Sequence, residues 1–382
     1  MSLPEESFTI GVEEEYQIID PANRELCSRV QQILPLARQI LGEAVQPEAQ
    51  RSQIEIATPI CQSLSDVRTA LTELRREVIL AAAKDGNRIA AAGTHPFSHW
   101  QRQQITPKKR YQDLLQDYQQ LTRELVIFGC HVHVGLRDRE AAIRVMNRAR
   151  VWLAPLLALS ANSPFWLGDE TGYASYRTEI WSRWPVAGPP TIFESLAAYH
   201  ALVESLVQTG SVEDATKIYW DVRLSQRFET IEFRVTDVCM TIDEAVMVAG
   251  LVRALVRTCY EQALQDIAFP TSRPELLRAA HWRAARYGLS ADLIDLETER
   301  AIPAPQLIEK LLDFVRPALE SQGEWHEISS LVAATLQHGN GATRQRQIYQ
   351  QAGRFEEVVD FIIAETAQGI EMPPLGLEQA QV

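Results

Sequence analysis

Glu13 and Glu15 stand two residues apart in Phe8-Thr-Ile-Gly-Val-Glu-Glu-Glu-Tyr-Gln-Ile18, where Phe8, Ile10, Val12, Tyr16 and Ile18 recur at period two. That period predicts a strand with one apolar face, broken only by Glu14, and an opposite face carrying two carboxylates. Neighbouring like charges on a strand repel, at about 0.2–1 kcal/mol even when exposed. A cation between them is one way to offset this, and Mg2+ is commonly held by one or two carboxylates completed by phosphate and water. A solvated edge strand with spare charge is the alternative.

The two-faced pattern recurs. Residues 51–59 set Ile54, Ile56 and Thr58 against Gln53, Glu55 and Ala57, with Glu48 just before them. Gly129-Cys-His-Val-His-Val-Gly-Leu136 puts His131 and His133 on the face of Gly129 and Gly135, opposite Cys130, Val132 and Val134. In Tyr219-Trp-Asp-Val-Arg-Leu-Ser225, Asp221 and Arg223 alternate with apolar residues; in Thr230-Ile-Glu-Phe-Arg-Val-Thr-Asp237, Glu232 and Arg234 do. A short connection joins these last two, which read as an antiparallel hairpin. A single strand histidine is more often structural than a ligand. The joint pattern points to a site, and carboxylates with one or two imidazoles suit Mg2+ or Mn2+ better than structural zinc.

The elements that must position these residues follow from spacing and stop signals. Helices are predicted over 25–42, over 65–84 with Ser65 as N-cap, over 107–128 opened by Pro107, over 138–160 with a kink at Pro155, and over 191–209. A short buried strand over 88–93 leads into Thr94-His95-Pro96-Phe97, a loop at a strand end and so an expected place for function. Residues 162–190 lack periodicity but hold Trp166, Tyr173, Tyr176, Arg177, Trp181 and Trp184, which favours an ordered functional segment. Residues 241–367 read as helical, with breaks at Pro270, Gly288, Pro303, Gly323 and Gly339, and 371–382 as a flexible tail. Six strand candidates, most with one apolar face, predict an α+β fold: an antiparallel sheet half covered by helices, its open polar face forming the site. One catalytic domain over residues 1–370 is expected.

The chain has 382 residues, 46% hydrophobic and 23% charged, as in an ordinary globular protein. A net charge of −13 argues against non-specific nucleic-acid binding, which needs a basic footprint. It does not exclude an anionic substrate, because metal ions and a few arginines make a site locally positive. No stretch suits a membrane span, and Met1–Ser7 has neither a basic nor an apolar signal region, so a cytoplasmic protein is expected. The five cysteines are widely spaced without a CxxC pair and read as reduced, buried thiols. No GxxxxGK[ST] occurs; Gly339-Asn-Gly-Ala-Thr-Arg-Gln-Arg346 instead offers glycine-rich backbone and two arginines at a helix start, suited to phosphate or simply an ordinary helix N-terminus.

These stretches, with Gln53-Ile-Glu-Ile-Ala-Thr-Pro59, together resemble the carboxylate-amine ligases of the glutamate-cysteine ligase type 2 family, over roughly residues 8–366 and in order. The resemblance implies the glutamine-synthetase-like superfamily, whose curved antiparallel sheet cradles ATP and metal ions. It also implies the reaction: ATP phosphorylates a carboxylate, and an amine displaces phosphate to leave an amide, most typically glutamate joined to cysteine. It implies Glu13, Glu15, Glu55 and Glu232 as metal ligands, with His131 or His133 a better partner than Glu14. Arg234 and Arg344 or Arg346 would stabilise phosphate, with Arg223 and Asn340 as further nucleotide contacts. Tyr176, Arg177 and Trp184 would shape the substrate pocket, Arg177 pairing with a substrate carboxylate, and Glu48 would add to the second metal site. A homodimer would follow the family's habit. Other readings are a ligase with a different amine or carboxylate, a zinc hydrolase using His-x-His and Asp237, and a non-catalytic binding protein.

Overall fold

A computed structural model describes residues 8–371; the tail expected over 371–382 lies, beyond Glu371, outside the described residues. Its centre is a seven-stranded sheet. The strands are β1 (Ile10–Ile19), β2 (Val45–Pro47), β3 (Gln53–Ala57), β4 (Arg88–Ala90), β5 (Gly129–Gly135), β6 (Val222–Leu224) and β7 (Thr230–Asp237). They run β6-β7-β5-β1-β3-β2, with β4 on the end of β1, and every pairing is antiparallel. β2 is a seventh strand beyond the six expected. It is three residues long and ends in Pro47, which has no N–H to give a ladder and suits the sheet edge.

The alternation puts Ile10, Val12, Ile54, Ile56, Val132, Val134, Ile231 and Phe233 on one face, all essentially buried. Helices Leu64–Lys84, Arg139–Ala149, Leu153–Ser160 and Ile242–Leu264 cover it. One cluster of buried apolar residues runs from Phe8 to Ile370.

Glu14, the charge on this face, is fully buried; two guanidinium nitrogens of Arg75 lie 2.6 and 3.0 Å from its oxygens, and Tyr16 Oη donates to it. Arg75 also donates to the Cys239 and Met240 carbonyls at 2.9 Å, so the buried pair has the extra hydrogen bonds such a pair needs.

Several local expectations are corrected. Helix Leu64–Lys84 is capped by Ser63, not Ser65: Ser63 Oγ accepts from Asp66 N at 3.1 Å and Asp66 accepts from Ser63 N at 2.9 Å. The chain over 138–160 breaks at the 3-10 turn Arg150–Trp152, and Pro155 falls in the first turn of Leu153–Ser160, where a missing N–H costs nothing. The helix expected over 107–128 is two, Lys109–Tyr118 and Gln120–Arg123, separated at Gln119 with φ 48°. Residues 241–367 also hold a hairpin, Asp292–Asp295 with Arg300–Pro303. The all-antiparallel sheet excludes the parallel barrel that the hydrolase reading required.

Candidate active site

Register assembles the open face. Glu13 stands opposite His131, Glu15 opposite Glu55, and Glu232 opposite both His133 and Arg223. These residues, with Glu48, Arg177, Trp184 and Arg234, line one cleft of 370 Å³. Two groups of ligand atoms converge in it. One atom each from Glu13, His131 and Glu232 lie within 4.8 Å of one another, and so do one each from Glu15, Glu55 and His131. His131 is shared between the groups. His133 lies beside them, its Nε2 3.4 Å from Glu13 and its Nδ1 3.0 Å from Thr230 Oγ1.

The electrostatics divide the face in two. Burial first, then Glu13, Glu48 and Glu15, hold Glu55 well above the usual carboxylate range; burial and Glu48 push Glu15 up to about 7, and burial raises Glu48. At the other end burial opposes ionisation but is outweighed. Hydrogen bonds from His131 and His133 hold Glu13 well below its usual range, and Arg234 and Arg223 do so for Glu232. Burial and Arg234 lower His131 to about 4, which leaves its imidazole neutral and able to ligate. Glu15 stands directly opposite Glu55, both half-buried, and the ionised pair repels unless a cation lies between. Hard carboxylate oxygens with one neutral imidazole are a donor set that fits Mg2+ or Mn2+, which Glu13, Glu15, Glu55, Glu232 and His131 would hold.

Arg234 lies within an irregularity of β7 between Phe233 and Thr236, a break of the kind that re-aims side chains beside active sites. Its guanidinium bonds Glu232, as does that of Arg223, whose Nε is 2.8 Å from the same carboxylate. Glu48 accepts from Tyr111 Oη at 3.1 Å and from Ala49 N at 3.0 Å. Trp184 packs with Tyr118, Trp181 and Tyr219 in an aromatic wall.

The structure does not bring every expected residue here. Arg344 pairs with Glu244 and, at 2.7 Å, with Glu365, and Arg346 pairs with Glu170 at 2.8 Å and the Tyr173 carbonyl at 2.7 Å. Asn340 caps helix Gly341–Ala352, accepting from Thr343 N at 3.0 Å and donating to the Ala158 carbonyl at 2.8 Å. A Cβ on Gly341 would lie 2.1 Å from Asn162 Oδ1, so this glycine-rich turn serves close packing. Tyr176 lies edge-on to Tyr173 and tilted against Trp166, outside the cleft lining. The loop expected to carry function at 94–97 is internal: His95 Nδ1 accepts from Phe97 N at 3.2 Å and Ser98 N at 2.9 Å, and its Nε2 donates to the Arg24 carbonyl at 2.8 Å.

Sequence reasoning passed over Lys108, Arg110 and Tyr111, whose basic run after Pro107 was the available signal, and Arg227 on the β6–β7 connection; all line the cleft. A second cavity of 760 Å³ meets the first at Glu13, His133, Arg227 and Phe228. Its walls include Ile10, Val12, Pro59, Ile60 and Leu136, and Ile60 and Phe228 are exposed there.

The sheet is antiparallel, its covered face is apolar and its open face gathers carboxylates, imidazoles and arginines in one cleft. The model of glutamate-cysteine ligase family 2 (GCS2) matches residues 9–364, and the chain belongs to that family of ATP-dependent C–N ligases. Relatives named provisionally as glutamate–cysteine ligase 2 include one from Rhodopirellula baltica, 43% identical over 94% of this chain and 96% of its own length. Another, from Solibacter usitatus, is 39% identical over 98% and 97%. The solved glutamate–cysteine ligase of Francisella tularensis in complex with AMP shares the fold, with a TM-score of 0.72 at 13% identity, over 96% of this chain and 90% of that one. No helix among the described residues is long and apolar enough to cross a membrane.

Proposed function

We propose that this ligase activates a carboxylate as an acyl phosphate and joins it to an amine, with the side-chain carboxylate of glutamate and the amino group of cysteine as the pair. The observation that carries the reading is the convergence of two ligand groups on His131 beneath one cleft. Mg2+ or Mn2+ held there would neutralise phosphate charge, which is most of what phosphoryl transfer asks of a protein. The chain's own residues do the rest.

The apolar second cavity suits a nucleoside, with the phosphates extending past Glu13 and His133 into the acidic cleft; the Francisella relative holds AMP. Arg234 and Arg223, both held on Glu232, would meet the transferred phosphoryl oxygens. Arg177 would take a substrate carboxylate. Trp181, Trp184 and Tyr219 would exclude water, so that the acyl phosphate meets the amine first. A carboxylate oxygen attacks the terminal phosphorus and ADP leaves; the amine nitrogen then attacks the acyl carbon and inorganic phosphate leaves. Arg344, Arg346, Asn340 and Tyr176 have no part in this scheme, because their side chains are engaged elsewhere.

A single catalytic domain over residues 1–370, a cytoplasmic setting and a homodimer belong to the same reading; sedimentation tests the last. The activity is tested by ADP release with Mg2+ and ATP, glutamate, and a panel of amines including cysteine, with mass spectrometry of the product. Formation of γ-glutamylcysteine supports the substrate pair. Turnover with another amine alone would keep the mechanism and replace the acceptor.

A further inference from the structure

Arg177 is 4% exposed, yet its guanidinium is thinly satisfied. Nη2 donates to the Arg234 carbonyl at 3.2 Å, Nη1 lies 3.8 Å from Asp237 Oδ1, and Nε has no hydrogen-bond partner among the described residues. What holds it is a network centred on Asp237, which is fully buried at the end of β7. Asp237 Oδ2 accepts from Asn162 N at 2.8 Å and Ser163 Oγ at 2.7 Å, and Oδ1 accepts from Ser175 Oγ at 2.8 Å. Ser163 Oγ in turn accepts from Arg177 N at 3.1 Å, and Ser175 caps the short helix that begins at Tyr176. One carboxylate thus anchors, through Ser163 and Ser175, the backbone N–H groups of Arg177 and Thr178, and it faces the Arg177 guanidinium.

Two glycines keep the space open. A Cβ on Gly93 would lie 2.7 Å from Asp237 Cγ, and one on Gly129 would lie 2.6 Å from Arg177 Nη2. Gly129 also donates its N–H to Glu15 at 2.7 Å, so the glycine under Arg177 is registered to the acidic face.

We infer that Asp237 is a positioning residue that holds Arg177 at the cleft so that its incompletely paired guanidinium receives a carboxylate of the amino-acid substrate. The buried charge is left short of partners until that carboxylate arrives, which makes substrate binding the step that completes it. This inference rests on the ligase reading above and extends it to a residue that does not line the cleft.

The test is calorimetric titration of glutamate and, separately, of ATP with Mg2+ into wild type, Arg177→Ala, Asp237→Asn and the double variant. The expected result is glutamate affinity weakened roughly tenfold or more in each single variant, the scale of a lost charge-assisted hydrogen bond. The double variant should lose little beyond Arg177→Ala, and ATP affinity should stay within about twofold throughout. Should Asp237→Asn not fold, Ser175→Ala removes one support from Asp237 and is expected to weaken glutamate, not ATP, by a smaller factor that again vanishes without Arg177. Unchanged glutamate affinity, or equal loss for glutamate and ATP, overturns the inference while leaving the ligase reading standing. Wild type that binds ATP but no glutamate removes the substrate assignment, and this inference with it.

Discussion

Arg75 reaches Glu14 with two nitrogens, at 2.6 and 3.0 Å, on the helix-covered side of the sheet, while Glu13 and Glu15 on either side of Glu14 face the cleft. Three consecutive carboxylates are divided by the pleat: one locks a helix to β1 and two are available for chemistry. Arg75→Met should strand a buried charge and cost about 3–5 kcal/mol, whereas Arg75→Met with Glu14→Gln should recover much of it. Urea unfolding of the two variants and wild type checks this. A small loss in Arg75→Met alone would contradict the structural role.

Glu55 lies among Glu13, Glu15 and Glu48, and its own register partner is Glu15. Removing its charge should relieve repulsion while removing a metal ligand. Glu55→Gln is expected to unfold at a higher temperature than wild type in the presence of a chelator. Added Mg2+ or Mn2+ should raise the wild-type midpoint more than the variant's. Thermal melts with and without cation decide it; a variant less stable than wild type without metal would show that Glu55 is not held against repulsion.

His95 predicts an acid sensitivity outside the cleft. Burial lowers it from the ordinary histidine range to about 3, and its Nδ1 can take no proton without losing two backbone donors. The unfolded chain takes up that proton below about pH 6.5 and the folded chain does not until about pH 3, so stability falls as pH falls through this window. The loss is about 1.4 kcal/mol per pH unit, roughly 2 kcal/mol by about pH 5. His95→Gln should lose correspondingly less between about pH 7 and about pH 5, measured by urea unfolding at each pH. Equal losses in both proteins would refute it.

Arg344 and Arg346 are each fastened to carboxylates away from the cleft. Arg346→Ala is expected to leave the Michaelis constant for ATP within about twofold, and to change stability by no more than about 1 kcal/mol, as for partly exposed pairs. Steady-state kinetics against ATP would expose an error here as a large rise in that constant.

The strands that carry chemistry were legible because each bears a period-two pattern that leaves one alternation for the core and one for the site. Glu13, Glu15, Glu55, His131, Glu232 and Arg234 could be gathered on one face without knowing the topology, and the neighbouring strands β7, β5, β1 and β3 then brought them together. Ser65 was read as the cap in place of Ser63, although of these two serines only Ser63 has an acidic residue three positions on to close the box. What escaped was set by packing. Nothing local distinguishes Gly339 to Arg346 as a close helix approach from a phosphate loop, because glycine serves both; only Asn162 pressed against Gly341 decides it. His95 likewise sits in a loop whose burial depends on the chain around Arg24, distant in sequence. The edge strand β2 is too short to show a period.

The central claim is that ATP activates a carboxylate on this face, and hydroxylamine tests it most directly because it traps an acyl phosphate whatever the natural amine. Incubation with ATP, Mg2+, glutamate and hydroxylamine should yield γ-glutamyl hydroxamate in step with ADP, with none from Glu232→Gln. ADP release without hydroxamate, or hydroxamate at the same rate from Glu232→Gln, would contradict the account.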